Sequence, residues 1–242
     1  MPMFQQPGLD PASRLIVALD FPTADAALAL VDRMEGSCRW FKVGLELYLS
    51  AGNTVTEQLR KRGYSVFLDL KLHDIPNTVA GAIRTAADSG ASLLTVHAAG
   101  GPAMLTAAAE AVTGLPGAPK LLAVTVLTSM DAEQLAAIGI KATPAEEVLG
   151  LAAMAESAGI SGFVCSPEET ALLRGRLAPE SLLVVPGIRP PGTATNDQKR
   201  IATPATALAA GASMLVVGRP ITQAADPRAA ALAILAEMAQ VL

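Results

Sequence analysis

A short apolar run, a polar break and a helical segment recur eight times between Arg14 and Val241. The apolar runs are continuous, which marks strands buried on both faces of a parallel sheet. They fall at Arg14–Leu19, Trp40–Gly44, Ser65–Leu72, Ser92–His97, Leu121–Leu127, Gly162–Cys165, Leu182–Pro186 and Met214–Gly218. Helices are predicted between them, among them Ala24–Met34, Leu47–Arg62, Asn77–Asp88, Pro102–Val112, Ala145–Ser157 and Pro227–Val241. Two further short helical pieces are expected, one at Asp131–Ala137. Gly63, Gly90, Gly159 and Gly211 stand where a helix must stop before the next strand, as C-terminal caps do. Eight such units favour a closed (β/α)8 barrel, the TIM barrel, over an open sheet. The expected division is a loose leader over 1–12, with three prolines and no periodicity, and a single barrel domain over 13–242.

Composition narrows the partners. Aromatic residues are 3% of the chain, too few for nucleic-acid stacking platforms, and the net charge of -4 argues against a phosphate-backbone binder. A small phosphorylated substrate needs only a few local donors and stays open. Two cysteines, Cys38 and Cys165, make no disulfide framework and fit a reducing compartment. The first ten residues lack a basic start and an apolar core, and no apolar run reaches the roughly 18 residues of a membrane span. A soluble cytoplasmic protein is expected.

In a barrel of this kind the chemistry sits at the C-terminal ends of the strands. The residues predicted there form a polar series. It runs from Asp20 and Lys42 through Asp69, Lys71 and His97 to Thr128, Ser129 and Ser166, then Gly187, Arg189, Gly218 and Arg219. The chain has six lysines, and two of them, Lys42 and Lys71, interrupt apolar strands. A solvated surface does not account for that.

The stretch Ser65–Val79, SVFLDLKLHDIPNTV, carries the densest part of the series. Strand alternation puts Asp69 and Lys71 on one face, about 7 Å apart at the backbone, and the flanking leucines on the other. Asp74 has the opposite parity, and Pro76 signals a turn into a helix. A structural ion pair, with Asp74 capping that helix, would satisfy a lone Asp-x-Lys. Here the charges interrupt VFLDLKL, where burial is costly unless they are paired or used. His97 is open between orienting site groups and satisfying a buried hydrogen bond.

Two histidines, no His-Glu-x-x-His and no cysteine cluster speak against a metal centre. No Walker lysine motif and no Gly-x-Gly-x-x-Gly follow the first strand. A lysine flanked by aspartates stays protonated, which suits a general acid better than a Schiff-base nucleophile. The segment PGIRPPGTATNDQKR reads as a loop that closes over a ligand, and VVGRP as a phosphate grip.

FLDLKLHDIPNTV resembles the signature of the orotidine 5'-phosphate decarboxylases of the short bacterial type. VALD, FKVG, TVH, VLTS, VPGIRP and VVGRPI extend the resemblance over nearly the whole chain. It implies decarboxylation of orotidine 5'-phosphate to uridine 5'-phosphate, with no metal and no organic cofactor. Lys71 would protonate C6 of the pyrimidine, and Asp69 would sit beside the substrate carboxylate. Lys42 and Asp20 would hold the ribose hydroxyls, and Thr128 would contact the pyrimidine. Arg189, Gln198, Gly218 and Arg219 would grip the phosphate. Asp74 and Thr78 would reach into the neighbouring subunit's site, which implies a homodimer with shared active sites. Two alternatives stand beside this one: a magnesium-dependent sugar-phosphate decarboxylase or aldolase on the same barrel, and a ligand sensor that has lost the chemistry. The run His73–Thr78 with Thr128 and Gln198 matches the nucleotide enzymes better, and an intact Asp-Lys-Asp set speaks against the sensor.

Overall fold

The computed structural model describes residues 10–191 and 201–242. Eight parallel strands close into a barrel in sequence order, and the eighth pairs with the first. They are β1 (Leu15–Leu19), β2 (Trp40–Gly44), β3 (Ser65–Leu72), β4 (Leu93–His97), β5 (Lys120–Val124), β6 (Gly162–Val164), β7 (Leu182–Val185) and β8 (Met214–Val217). Helices on the outside cover every strand. Ahead of β1, Pro11–Ser13 form one 3-10 turn, and Asp10 pairs with Arg39 at 2.9 Å.

The alternation of side chains divides each strand into two cores. Leu15, Val17 and Leu19 face the helices, and Ile16 and Ala18 face the barrel axis. On the axis, Ile16, Phe67, Leu93, Leu122, Leu182 and Met214 fill the lower barrel. The same inward rows change character toward the C-terminal ends. Ile16 and Ala18 are followed at that parity by Asp20, Trp40 by Lys42, and Phe67 by Asp69. The floor is therefore apolar and the mouth is charged because each strand carries both along one face.

Two expectations are corrected. The single helix over Leu47–Arg62 is two, Leu45–Ala51 and Asn53–Lys61, broken at Gly52 with φ 58 and ψ -149. Only glycine adopts that backbone freely. The fifth strand stops at Val124, not Leu127, and the chain turns there as the Thr125 hydroxyl donates to the Val164 carbonyl. The second short helix is Arg219–Thr222, directly after β8.

Gly162 opens β6 where the sheet leaves no room for a side chain. A Cβ there would lie 2.5 Å from the Leu121 carbonyl oxygen and 2.5 Å from Leu122 Cδ2. A backbone carbonyl in a closed barrel cannot swing aside. Gly162→Ala is therefore expected to destabilise the protein by about 1–3 kcal/mol, the usual cost of overpacking. Chemical denaturation measures it, and an unchanged midpoint would contradict the packing described.

Candidate active site

Four side chains from three neighbouring strands form a row of alternating charge at the mouth of the barrel. Lys42 Nζ lies 2.9 Å from Asp20 Oδ1 and 3.6 Å from Asp69 Oδ2. Lys71 Nζ lies 2.9 Å from Asp69 Oδ1. Asp69 is the centre of the row, with its side chain 14% exposed between both ammonium groups. Its burial favours protonation, but Lys42, Lys71 and hydrogen bonds from Lys71 and Thr95 outweigh that and hold its carboxyl below the ordinary value. Asp69 is thus ionised at neutral pH.

β3 does not run as a regular strand past Leu68. Four steps along it, from Leu68 to Leu72, match two along β4, from Leu94 to Val96. Within this bulge Lys71 has φ 49, a left-handed backbone that non-glycine residues adopt rarely. Simple alternation therefore does not describe Lys71, although its ammonium still meets the Asp69 carboxylate.

Around the row lies a cavity of about 520 Å³, within the range of small-molecule sites. Asp20, Lys42, Asp69, Lys71, Thr128, Arg189, Gly218 and Arg219 all line it. Its apolar lining includes Val124, Val126, Val164 and Val216. Two further cations, Arg189 and Arg219, line the same cavity. Arg189 is largely buried; its Nη1 donates to the Ile188 carbonyl at 2.9 Å and its backbone N–H to Ala202 at 2.8 Å. A parallel bridge joins Ile188 to Ala202, and most of the segment expected to close over a ligand, 192–200, lies outside the described residues. Gln198 falls outside the described residues. Among the described residues, no cluster of three His, Cys, Asp or Glu side chains could hold a metal ion.

Asp74 and Thr78 are not in this cavity. They belong to a run from His73 to Thr78 that is exposed throughout. Asp74 does not cap the helix Pro76–Asp88; the N-cap is Ile75, and Asp74 Oδ1 accepts the N–H of Ile75 at 2.6 Å. Next to it, His73 stacks on His97 with ring centroids 5.4 Å apart. His97 Nδ1 accepts the Ala99 N–H at 3.3 Å. Burial, with His73 and Lys71 adding to it, keeps the imidazole of His97 below its ordinary pKa. His97 thus satisfies a backbone donor and carries its neutral-state proton on Nε2.

The sequence profile of the orotidine 5'-phosphate decarboxylase / HUMPS family matches residues 13–234. The chain belongs to that family. It is 56% identical over 226 residues to a protein of Halorhodospira halophila named orotidine 5'-phosphate decarboxylase, covering 93% of this chain and 96% of the relative. It is 51% identical over 234 residues to the protein of that name from Chromobacterium violaceum, covering 96% and 94%. The crystal structure of the orotidine 5'-phosphate decarboxylase from Lactobacillus acidophilus superposes with a TM-score of 0.82 at 40% identity, covering 93% of this chain and 98% of that one.

Two residues packed against the charged row escape a reading of the sequence. Thr95 is fully buried on β4 and bonds both Asp69 and the Lys71 backbone. Its signal is a hydroxyl in the apolar run LLTVH, at the inward parity of Leu93. Gly44 ends β2, and a Cβ there would lie 2.9 Å from Lys42 Nζ and 3.2 Å from Asp20 Oδ1. Its lack of a side chain leaves room for that ion pair.

Folding lowers the Asp69 pKa, so the folded state binds fewer protons there than the unfolded chain. The stabilisation is full above about pH 4, the ordinary carboxylate value, and is lost as pH falls through the lower folded value. Asp69→Asn is expected to melt below the wild type near neutral pH, with the gap closing below about pH 4. Thermal melts across pH check this, and a gap independent of pH would contradict it.

Proposed function

We propose that the protein converts orotidine 5'-phosphate to uridine 5'-phosphate and carbon dioxide in pyrimidine biosynthesis. The observation that carries this reading is the alternating row Asp20–Lys42–Asp69–Lys71 at the rim of a cavity that is also lined by Arg189, Arg219 and apolar side chains. That arrangement suits a phosphorylated ligand with a flat base and a reacting carboxylate.

In the proposed reaction the bond from C6 to the carboxylate carbon breaks, and its electron pair stays on C6. Lys71 Nζ gives a proton to that carbon, carbon dioxide leaves, and the amine recovers a proton from solvent. The fixed ammonium stabilises negative charge where it develops, with no reorganisation at the moment of reaction. Asp69, ionised and pinned, stands beside the substrate carboxylate. Repulsion between the two is relieved as the carboxylate becomes neutral carbon dioxide. Lys42 and Asp20 hold the ribose hydroxyls, and Thr128 meets the pyrimidine. Arg189, Arg219, Gly218 and Gln198 hold the phosphate, and binding energy gathered there offsets the crowding of like charges at C6. Neither a metal nor an organic cofactor enters the scheme.

We further propose a homodimer in which Asp74 and Thr78 complete the partner's site. The support is the exposed run His73–Thr78, in which Ile75 is 67% exposed. A second chain docked on that run would remove the Ile75 side chain from water. The cytoplasm is the proposed location. Neither cysteine is in a disulfide and both are buried, and among the described residues no helix is long and apolar enough to cross a membrane.

Lys71→Ala tests the reading. Turnover of orotidine 5'-phosphate is expected to fall by at least about 10⁴-fold in kcat, while uridine 5'-phosphate still binds. Near-normal turnover in the variant would refute the assignment.

A further inference from the structure

We propose that Thr95 is a positioning residue for the reacting centre: its hydroxyl locks the Asp69 carboxylate and the Lys71 backbone into one arrangement. The inference rests on the proposed decarboxylation. Thr95 projects inward from the middle of β4 and is fully buried. Its Oγ1 accepts the Lys71 backbone N–H at 2.8 Å. The single hydroxyl proton goes to Asp69 Oδ1 at 3.0 Å. That same Oδ1 accepts Lys71 Nζ at 2.9 Å. The result is a closed ring of hydrogen bonds: Lys71 N–H to Thr95, Thr95 O–H to Asp69, and Asp69 back to the Lys71 ammonium.

The ring explains the bulge in β3. A strand that gains two residues against its neighbour loses ladder acceptors, and a buried N–H without an acceptor is costly. The Thr95 hydroxyl stands in for a carbonyl and accepts the Lys71 N–H where the backbone turns left-handed, at φ 49. The strand chemistry thereby sets the origin of the Lys71 side chain. Asp69 is faced by Lys42 from β2, Lys71 from β3 and Thr95 from β4. The first two are charges that a substrate phosphate or carboxylate can perturb. Thr95 is neutral, cannot titrate, and sits on a rigid strand. Its oxygen is occupied by protein groups, so it acts through Asp69 and Lys71 and not on substrate.

The test compares Thr95→Val, Thr95→Ala and Thr95→Ser by decarboxylation kinetics across pH and by the Kd for uridine 5'-phosphate. Alanine and serine both lose the methyl group and differ only in the hydroxyl. Valine and alanine are expected to lose about tenfold or more in kcat, the scale of a hydrogen bond to a charged group, with product affinity within about threefold. The acid limb of their kcat profile moves upward, because Asp69 has lost a donor to its charged form. Serine restores kcat to within about threefold of the wild type. Three results would each overturn the inference. They are wild-type kcat and pH profile in the valine variant, a serine variant as slow as alanine, and loss of the folded state in both valine and alanine variants by circular dichroism, which would make the hydroxyl a folding element. Absence of turnover in the wild-type protein would instead overturn the parent reading, and is visible in the same assay.

Discussion

Two ammonium groups and two carboxylates share the mouth of one barrel, and the rest of the structure is what makes that arrangement tolerable. Asp69 sits between Lys42 and Lys71 with little contact to solvent. Largely removed from water, Lys42 and Asp69 would each be costly alone. The row is neutral in sum and each member has an opposite neighbour within 3.6 Å. No single strand supplies such a set. Parallel neighbours do, because β1, β2 and β3 stand in register, with Ala18 beside Lys42 and Gly44 beside Asp69. Closing the sheet then gives the row a dry floor and a defined cavity.

The same constraint gives the proposed chemistry its form. In the proposed reaction a substrate with two anionic ends would meet cations for both: Lys42 and Lys71 in the row, and Arg189 and Arg219 elsewhere in the cavity lining. The reacting end is crowded by Asp69, and the distant end is not. Preorganisation is the common theme, since the charges that stabilise the developing carbanion are already held by each other before substrate arrives. Holding them requires a locally unusual backbone, and Lys71 is one of two described non-glycine residues with positive φ. A strained conformation at the proposed proton donor is maintained by partners on β4, not by β3 itself.

Much of this was legible in the sequence, for a physical reason in each case. Strands buried on both faces must be continuously apolar, so all eight runs stood out within a few residues of their ends. Lys42, Asp69 and Lys71 were conspicuous because ionisable groups are costly in such runs. What escaped depends on pairing between distant segments. The bulge at Lys71 is a mismatch between β3 and β4, and neither strand records it alone. Thr95 looked like an ordinary strand residue, because threonine is common in sheets. The break at Gly52 was hidden because an isolated glycine within a helical pattern does not oblige a stop. The exposed placement of Asp74 and Thr78 was foreshadowed by the parity of Asp74, while their proposed role needs a second chain.

The most direct measurement is the ultraviolet absorbance of orotidine 5'-phosphate mixed with the purified wild-type protein in excess chelator. The account predicts a fall in absorbance that matches stoichiometric conversion to uridine 5'-phosphate, with no metal added. An unchanged spectrum from folded protein, or turnover that appears only when magnesium is restored, would contradict it.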